Sequence, residues 1–443
     1  RGRPPGRSPA ARRPAPRRGP SVIGCAAVTT EPTTNSLQFQ PYGPAFDADP
    51  HPVLRRFREE APIYYWEQGR GHVFFRYRDI MALFREPRLG TDPTDGHGFP
   101  PELRAAYPDF VGLRDNDLFM VGGEAHARIR KLINPLFTPR ALEAHRPRVA
   151  QILSALIDEL PAAGTINFFA EFARKYPVRV IAALLNLSSS RDEADFVALA
   201  DALIATIFPN LPPEVFASYM PAVSRGAALV RERIAERRAN PLEGDLLSLL
   251  IHACDDADRL TDGELLSLVS GLLIGGSDTT VHLTTYTLHE LLRHPDQLAL
   301  LRADPGLTRS ALDETLRYNS FGRGGGLTRF VREDFTYEGV ALRRGQPVFL
   351  NMLSAFRDPE FVADADVFDI RRRTHSSPWF GYGPHFCVGA SLARMEAEMA
   401  LQMFLARYPT IELAGPAVYG THPILRDIVD LPVRVDSAAG SSG

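Results

Sequence analysis

Cysteine is scarce in this chain of 443 residues: the sequence holds only Cys25, Cys254 and Cys387, far apart and without a C-x-x-C pair. An odd number of widely separated cysteines without such a pair argues against a disulfide framework and against a zinc site. Long apolar runs are missing as well, since no stretch approaches the ~18 residues that a membrane-spanning helix requires. We therefore predict no membrane partner.

Acidic residues are absent from residues 1–20, which contain seven arginines and six prolines. Such a composition cannot bury a core, so we predict that residues 1–27 are a disordered tail or a misassigned start. The segment lacks the apolar stretch of a secretory signal. Removing its seven positive charges takes the formal net charge from −3 to −10. The remainder is acidic, and no nucleic-acid partner is expected.

No linker or internal repeat interrupts the sequence after the tail, which predicts one large domain over residues 28–435 and a flexible tail over 436–443. Helical periodicity dominates from Asp79 to about residue 318. The β-favouring segments are short: Ile63–Trp66 and 72–76, which we expect to form a hairpin, then Leu327–Val331, 335–340 and 348–351. The predicted fold is mainly α with a small β region.

The clearest helix signal covers Asp262–Arg293. Thr261 and Glu264 have the spacing of a capping box, and the first half of the segment is apolar on all sides, as in a helix at the centre of a domain. Residues 275–280, Gly-Gly-Ser-Asp-Thr-Thr, then interrupt it with two glycines, an acid and hydroxyls. They indicate either a packing kink with a locally bonded aspartate or a chemical site inside the helix.

The most informative segment is Phe380-Gly-Tyr-Gly-Pro-His-Phe-Cys387-Val-Gly389, followed by a helical stretch over 388–407. A cysteine at the start of a helix faces free backbone N–H groups and the positive end of the helix dipole, which favour a thiolate. Gly383 and Gly389 allow close approach of a flat ligand, and Phe380 can cover the sulfur. A lone thiolate suits haem iron; the alternative is a small buried hydrophobic residue.

This segment resembles the haem-binding loop of the cytochrome P450 family, whose pattern F-x-x-G-x-H/R-x-C-x-G it matches at every fixed position. The resemblance implies a triangular-prism fold and haem b with Cys387 as the axial ligand of the iron. A thiolate ligand of this kind pushes electron density towards bound oxygen and favours O–O cleavage.

The central helix is similar to the family's A/G-G-x-D/E-T motif at Gly275, Gly276, Asp278 and Thr279. The resemblance implies that the small residues leave room for dioxygen, while Thr279 and Asp278 pass protons to it. A hydroxyl backed by a carboxylate can deliver the protons that O–O cleavage consumes.

Glu314 and Arg317 resemble the E-x-x-R motif of the family, with Arg372 as the third member. On this resemblance the triad is structural and holds the loop of Cys387 in place. Taken alone, an E-x-x-R pair is typical of a solvated surface ion pair.

Four cationic or hydrogen-bonding side chains match positions that bind the haem propionates in the family: His126, Arg130, Arg329 and His385. Charge-assisted hydrogen bonds to two carboxylates would be strong. Each of these residues could instead be an ordinary surface group.

For the substrate pocket we expect apolar walls from Leu272, Phe321 and Leu327, space beside Gly275 and Gly276, and Arg323 as a polar anchor. The three glycines 324–326 either widen this pocket or only satisfy a turn. A roomy pocket would suit a macrolide-sized, terpenoid or fatty-acyl molecule.

The resemblance implies a cytoplasmic, monomeric monooxygenase that hydroxylates or epoxidises a lipophilic small molecule with dioxygen and electrons from NAD(P)H. A ferredoxin with its reductase would deliver the electrons, docking at Arg128, Lys131 and Arg394. Residues 130–135 and 236–243 are similar to polyketide-tailoring members from myxobacteria. The alternatives are a peroxide-driven or oxygen-independent haem-thiolate enzyme and, in a different class, a haem-based gas sensor or carrier.

Overall fold

A computed structural model of the chain describes residues 37–93, 98–186, 190–206, 212–242, 244–252, 260–323, 326–373, 378–422 and 425–437. Residues from Phe39 onward form one compact unit. The prediction of a single, mainly helical domain is therefore confirmed. The predictions for residues 1–27, for the tail after 437 and for glycines 324 and 325 lie outside the described residues, as do Cys25 and Cys254.

The helices in the described part of the chain are α1 Pro44–Ala48, α2 His51–Glu60, α3 Tyr77–Leu83, α4 Pro101–Ala106, α5 Pro108–Asp115, α6 Gly123–Ile133, α7 Pro139–Glu143, α8 Arg146–Asp158, α9 Tyr176–Leu184, α10 Ser190–Ala205, α11 Pro213–Ala239, α12 Leu246–His252, α13 Asp262–Arg293, α14 Pro295–Ala303, α15 Thr308–Tyr318, α16 Met352–Ala355 and α17 Ala390–Arg407. None of these described helices is both long and apolar enough to cross a lipid bilayer.

The strands are β1 Ile63–Trp66, β2 Gly71–Phe74, β3 Leu89–Gly90, β4 Ala163–Asn167, β5 Leu327–Val331, β6 Phe335–Tyr337, β7 Val340–Leu342, β8 Pro347–Leu350, β9 Thr410–Leu413, β10 Val418–Tyr419, β11 Ile428–Asp430 and β12 Pro432–Asp436. The largest sheet has the order β1-β2-β8-β5-β3, and β4-β12-β9 form a three-stranded sheet. The predicted β1–β2 hairpin is confirmed. The strand expected over 335–340 is instead a two-stranded hairpin of β6 and β7, since Glu338 and Gly339 both take positive φ angles.

Helix α13 has the bounds that the sequence predicts. Its N-terminus carries both capping-box hydrogen bonds: the Glu264 backbone N–H donates to the Thr261 hydroxyl at 3.2 Å, and the Thr261 N–H donates to the Glu264 carboxylate at 2.8 Å. Its apolar side chains, including Leu265, Val269 and Leu273, are almost fully buried. Helices α9, α10, α15 and α17 pack against it, so α13 runs through the centre of the domain.

Candidate active site

The loop before α17 carries Cys387. Two short 3₁₀ turns, Pro378–Phe380 and Gly383–His385, fold the loop, and α17 begins at Ala390, two residues later than the sequence predicts. The Cys387 N–H donates to the Phe380 carbonyl at 2.8 Å, which fixes the cysteine backbone. Gly383 has φ +68 and open space where a Cβ would stand, so the backbone can be approached closely there.

The Cys387 side chain is exposed, although protein surrounds it on most sides. This burial raises the pKa of the thiol, while the backbone N–H groups of Gly389 and Ala390 and the charges of Arg130 and Arg394 act in the opposite direction. The backbone N–H groups at the start of α17 thus lower the pKa of Cys387, as the sequence predicts, but burial raises it by more. Coordination of a metal ion deprotonates a thiol outright, so a metal can overcome the remainder.

A cationic cluster, in which Arg130, Arg329 and Arg332 carry the charge beside the rings of His126 and His385, lies next to this loop. The His126 and His385 rings are 4.1 Å apart between centroids. Burial, followed by the charges of His126, Arg329, Arg130 and Arg332, lowers the pKa of His385 to about 4. Burial also lowers the pKa of Arg329 to about 10. The structure therefore brings together the four side chains expected at the propionates and adds Arg332, which sequence reasoning missed.

Burial lowers the pKa of both Arg130 and Arg329, and neither arginine takes part in an ion pair among the described residues. Concentrated positive charge without internal compensation is costly, and two carboxylates of a ligand would relieve it. With the accessible Cys387 thiol and the open side of Gly383, the cluster fits a flat, dianionic macrocycle such as haem.

Helix α13 presents an accessible face inside the otherwise buried core. Gly271, Gly275 and Thr279 are spaced four residues apart and are all exposed, and no atom lies within 4 Å of a Cβ built on either glycine. The Thr279 hydroxyl donates to the Gly275 carbonyl at 2.8 Å, so its oxygen can still accept a hydrogen bond. Gly271 was missed at the sequence level, although its i, i+4 spacing to Gly275 would have identified it.

Asp278 is half-buried on the neighbouring side of the helix. Burial, reinforced by the charge of Asp201 and opposed by Arg174, raises the pKa of Asp278 to about 6. Arg174 and Asp201 form an exposed ion pair at 3.9 Å. A carboxyl with this pKa can both take up and release a proton near neutral pH.

Several predicted pocket residues occupy other environments. Arg323 is 3% exposed and pairs with Asp47 at 2.6 Å; it also donates to the carbonyls of Leu425 and Gly420. The prediction of Arg323 as a substrate anchor is therefore wrong, because its guanidinium is consumed by internal partners. Gly276 was expected to border the open space, but its Cβ position faces Ile181 of α9 at 3.5 Å.

The remaining pocket predictions have mixed outcomes. Leu272 belongs to the buried core, and Leu327 is half-buried beside β8. Phe321 packs against the rings of His282 and Tyr286. A Cβ on Gly326, which has φ +56, would lie 1.9 Å from the Leu350 carbonyl oxygen, so this glycine is required by the backbone geometry.

We predict different consequences for the two glycines in the middle of α13. Gly275→Ala should raise the free energy of unfolding by about 0.5–1 kcal/mol, because alanine is the better helix former and its Cβ meets no atom. The same Cβ occupies the open space, so the variant should bind bulky ligands more weakly. Urea unfolding and spectral titration measure the two effects. Gly276→Ala is the matched control and should gain stability without losing affinity; equal affinity losses would contradict this geometry.

Glu314 and Arg317 form a buried bidentate ion pair in α15, with Arg317 donating at 2.7 and 2.8 Å. Arg317 also donates to the carbonyls of Phe356, Ala365 and Val367. Arg372 reaches Glu314 at 3.3 Å. The three motif residues therefore meet, and they are buried rather than solvated.

The suggested basic docking patch is partly neutralised by internal contacts. Arg394 pairs with Asp313 at 3.0 Å and lies over the Phe380 ring, while Arg128 binds Glu264. Sequence reasoning also missed Trp379, which anchors the Cys387 loop by contacting the rings of Phe356 and Phe361.

Comparisons of this chain with a family model, with known proteins and with solved structures all lead to the same family. The family model described as Cytochrome P450 matches residues 104–305 and 302–413. The epothilone C/D epoxidase of Sorangium cellulosum is 38% identical over 404 residues, covering 90% of this chain and 96% of that protein. The 6-deoxyerythronolide B hydroxylase of Saccharopolyspora erythraea is 33% identical over 375 residues, covering 81% of this chain and 89% of that protein. The crystal structure of epothilone D-bound cytochrome P450epoK has a TM-score of 0.85 at 37% identity, covering 91% of this chain and all of that one.

Proposed function

The chain belongs to the cytochrome P450 family, and from this premise we propose that it is a haem-thiolate monooxygenase that hydroxylates or epoxidises a polyketide-type lipophilic molecule. That it is an oxidoreductase follows from its relatives, which are named hydroxylases, epoxidases and monooxygenases. Two electrons from NAD(P)H, transferred through a ferredoxin and its reductase, together with dioxygen and two protons, would give the oxygenated product and water.

The observation that carries the proposal is that one domain holds an exposed cysteine at the start of α17 and, on the central helix, an exposed Thr279 hydroxyl beside the half-buried Asp278. The family implies haem b, and when bound through Cys387 the haem supplies the reduction of dioxygen and the transfer of one oxygen atom. His126, Arg130, Arg329 and His385 would hold the two propionates of this group.

The distal residues would handle protons. The Thr279 oxygen, with its own hydrogen bonded to the Gly275 carbonyl, can accept a hydrogen bond from water and hold it in place. Asp278, with a pKa raised to about 6 by burial, would exchange protons with that water and recharge it from the exposed Arg174–Asp201 side of the helix. The ion-paired Glu314, Arg317 and Arg372 would support the Cys387 loop and take no part in proton transfer.

The polyketide class is proposed because relatives across most of the chain are named for epothilones and 6-deoxyerythronolide B. The open space along Gly271 and Gly275 is compatible with a bulky ligand.

The test of the function is turnover under ¹⁸O₂ with a ferredoxin, its reductase and NADPH, using epothilone D as the first substrate and a macrolide aglycone as the second. One ¹⁸O atom in the product, and none without NADPH, would support the proposal. A peroxide-driven enzyme would form product with hydrogen peroxide alone, and a gas sensor or carrier would bind dioxygen without consuming NADPH.

A specific prediction concerns Thr279. Thr279→Ala should keep haem and substrate binding but lower the product formed per NADPH at least about tenfold, because the hydroxyl oxygen that holds the proton-delivering water is lost. The difference should appear as hydrogen peroxide. Thr279→Ser, which keeps the hydroxyl, is the control and should restore most of the coupling. If the alanine variant couples as well as the parent, Thr279 serves only for packing.

A further inference from the structure

A buried arginine connects two helices that flank the accessible face of α13. Arg114, at the C-terminal end of α5, is 6% exposed. Its Nη2 donates to the carbonyl of Leu203 and, at 3.4 Å, to the hydroxyl of Thr206, at the C-terminal end of α10. Carbonyls in the last turn of a helix have no partner within the helix, and a cation is favourable there. Arg114 thus acts as a cap for α10 that is supplied by another helix.

The guanidinium is fixed from the side of α5 as well. Its Nη1 donates to the Asp117 carboxylate at 3.1 Å, and the Phe110 ring lies 5.6 Å away. The Nε of Arg114 is buried and finds no hydrogen-bond partner in the described part of the chain. Burial lowers the pKa of Arg114, and Asp117 opposes this shift. A buried charge is costly, so Arg114 cannot be explained as a surface residue that only improves solubility.

The position of this contact relates it to the candidate active site. Ser267 precedes Gly271 by four residues on the same face of α13, but it is buried where α5 packs against that helix. Its hydroxyl donates to the Leu113 carbonyl of α5 at 2.7 Å. Helix α5 therefore covers one end of the accessible face. Helix α10 packs along α13, and its Asp201 acts electrostatically on Asp278. The Arg114 contact joins these two flanking helices.

We propose that Arg114 is a positioning residue that holds α5 and α10 together over the accessible face of α13 and so limits the entry of bulky substrates. Opening this side for a large molecule separates the guanidinium from Leu203 and Thr206, whereas a small molecule passes without breaking the contact. This inference rests on the proposed function for the identity of the ligand, but the contact itself does not.

The experiment compares Arg114→Gln with the parent holoenzyme by stopped-flow absorption, with clotrimazole as the bulky ligand and imidazole as the small one. The clotrimazole association rate should rise about tenfold, the factor that corresponds to one charge-assisted hydrogen bond, while the imidazole rate stays unchanged. Amide hydrogen exchange should increase in α5 and in the last turn of α10. Arg114→Lys, which keeps the charge but loses the fork, should fall between the two.

The matched control is Arg231→Gln. Arg231 also makes an ion pair with α5, binding Asp109 at 2.6 Å from α11, but this pair is at the surface. The control should leave both association rates and the hydrogen exchange unchanged. Equal acceleration in the two variants, or equal acceleration of both ligands by Arg114→Gln, would overturn the proposal.

If Arg114→Gln does not fold, Thr206→Val removes one acceptor of the guanidinium at nearly constant volume and should accelerate clotrimazole about twofold to threefold; an unchanged rate would then count against the proposal. Azole binding requires haem but no turnover, and hydrogen exchange requires neither. A protein that fails to oxygenate any substrate can therefore still confirm or refute the role of Arg114.

Discussion

Replacing Cys387 by serine should abolish the strongly red-shifted absorption band that reduced protein gives with carbon monoxide, along with all NADPH-dependent oxygenation. The reason is the ligand chemistry: a thiolate is the donor that pushes electron density onto the iron, and an alcohol at the same position is neutral at physiological pH. In the structure Cys387 is the exposed cysteine of the described residues, and its backbone is fixed by the Phe380 carbonyl.

The measurement is a carbon monoxide difference spectrum of freshly prepared protein, with haem quantified separately. Circular dichroism should show that Cys387→Ser retains its helices, because serine is close to cysteine in size and its oxygen can accept from the backbone N–H groups of Gly389 and Ala390 as the sulfur does. If the parent protein shows the band typical of histidine-ligated haem, the assignment of Cys387 is wrong. If the serine variant keeps the red-shifted band, another residue is the ligand.

The parts of the site that the sequence predicts well are those in which the chemistry lies in one segment. The Cys387 loop, the capped helix α13 and the Glu314–Arg317 pair each depend on residues a few positions apart. Their local geometry follows from helix spacing and backbone N–H groups, so the motif carries the arrangement with it.

The predictions that the structure corrects concern residues whose partners lie far away in the sequence. In the sequence, Arg323 follows α15 in a glycine-rich segment and looks like a free cation. Its partner Asp47 belongs to α1, near the start of the domain in sequence, although the two side chains are in contact in the structure. The environment of Asp278 likewise depends on Asp201 of α10. Which side of α13 faces open space is decided by Ile181 of α9 at Gly276 and by the absence of neighbours at Gly275. Such pairings arise from tertiary packing, which local pattern does not encode.

The cationic cluster shows an intermediate case. His126 and Arg130 share a face of α6 by their i, i+4 spacing, which the sequence reveals. Arg329 of β5 and His385 of the Cys387 loop join them only because of the way the sheet packs against that loop. The tertiary fold therefore adds Arg329 and His385 to the two residues that α6 alone already places side by side.

Glu314→Gln should lower the free energy of unfolding by about 3–5 kcal/mol, the cost of leaving one member of a buried ion pair without its partner. Arg317 is 0% exposed and Glu314 2% exposed, so water cannot replace the lost carboxylate. The amide keeps the shape of the side chain but can accept from only one oxygen, while Arg317, Arg372 and the Asp369 N–H all donate to the carboxylate.

The damage should reach the candidate active site, because Arg317 ties the carbonyls of residues 356, 365 and 367 together and Trp379 of the Cys387 loop packs on Phe356. Urea unfolding measures the loss, and the haem content of the purified protein reports on the loop. Glu412→Gln is the matched control, since its pair with Arg434 is exposed on both sides and should contribute less than about 1 kcal/mol. A similarly small loss for Glu314→Gln would mean that the buried carboxylate does not organise this region, and that the support of the Cys387 loop comes from the aromatic contacts of Trp379 instead.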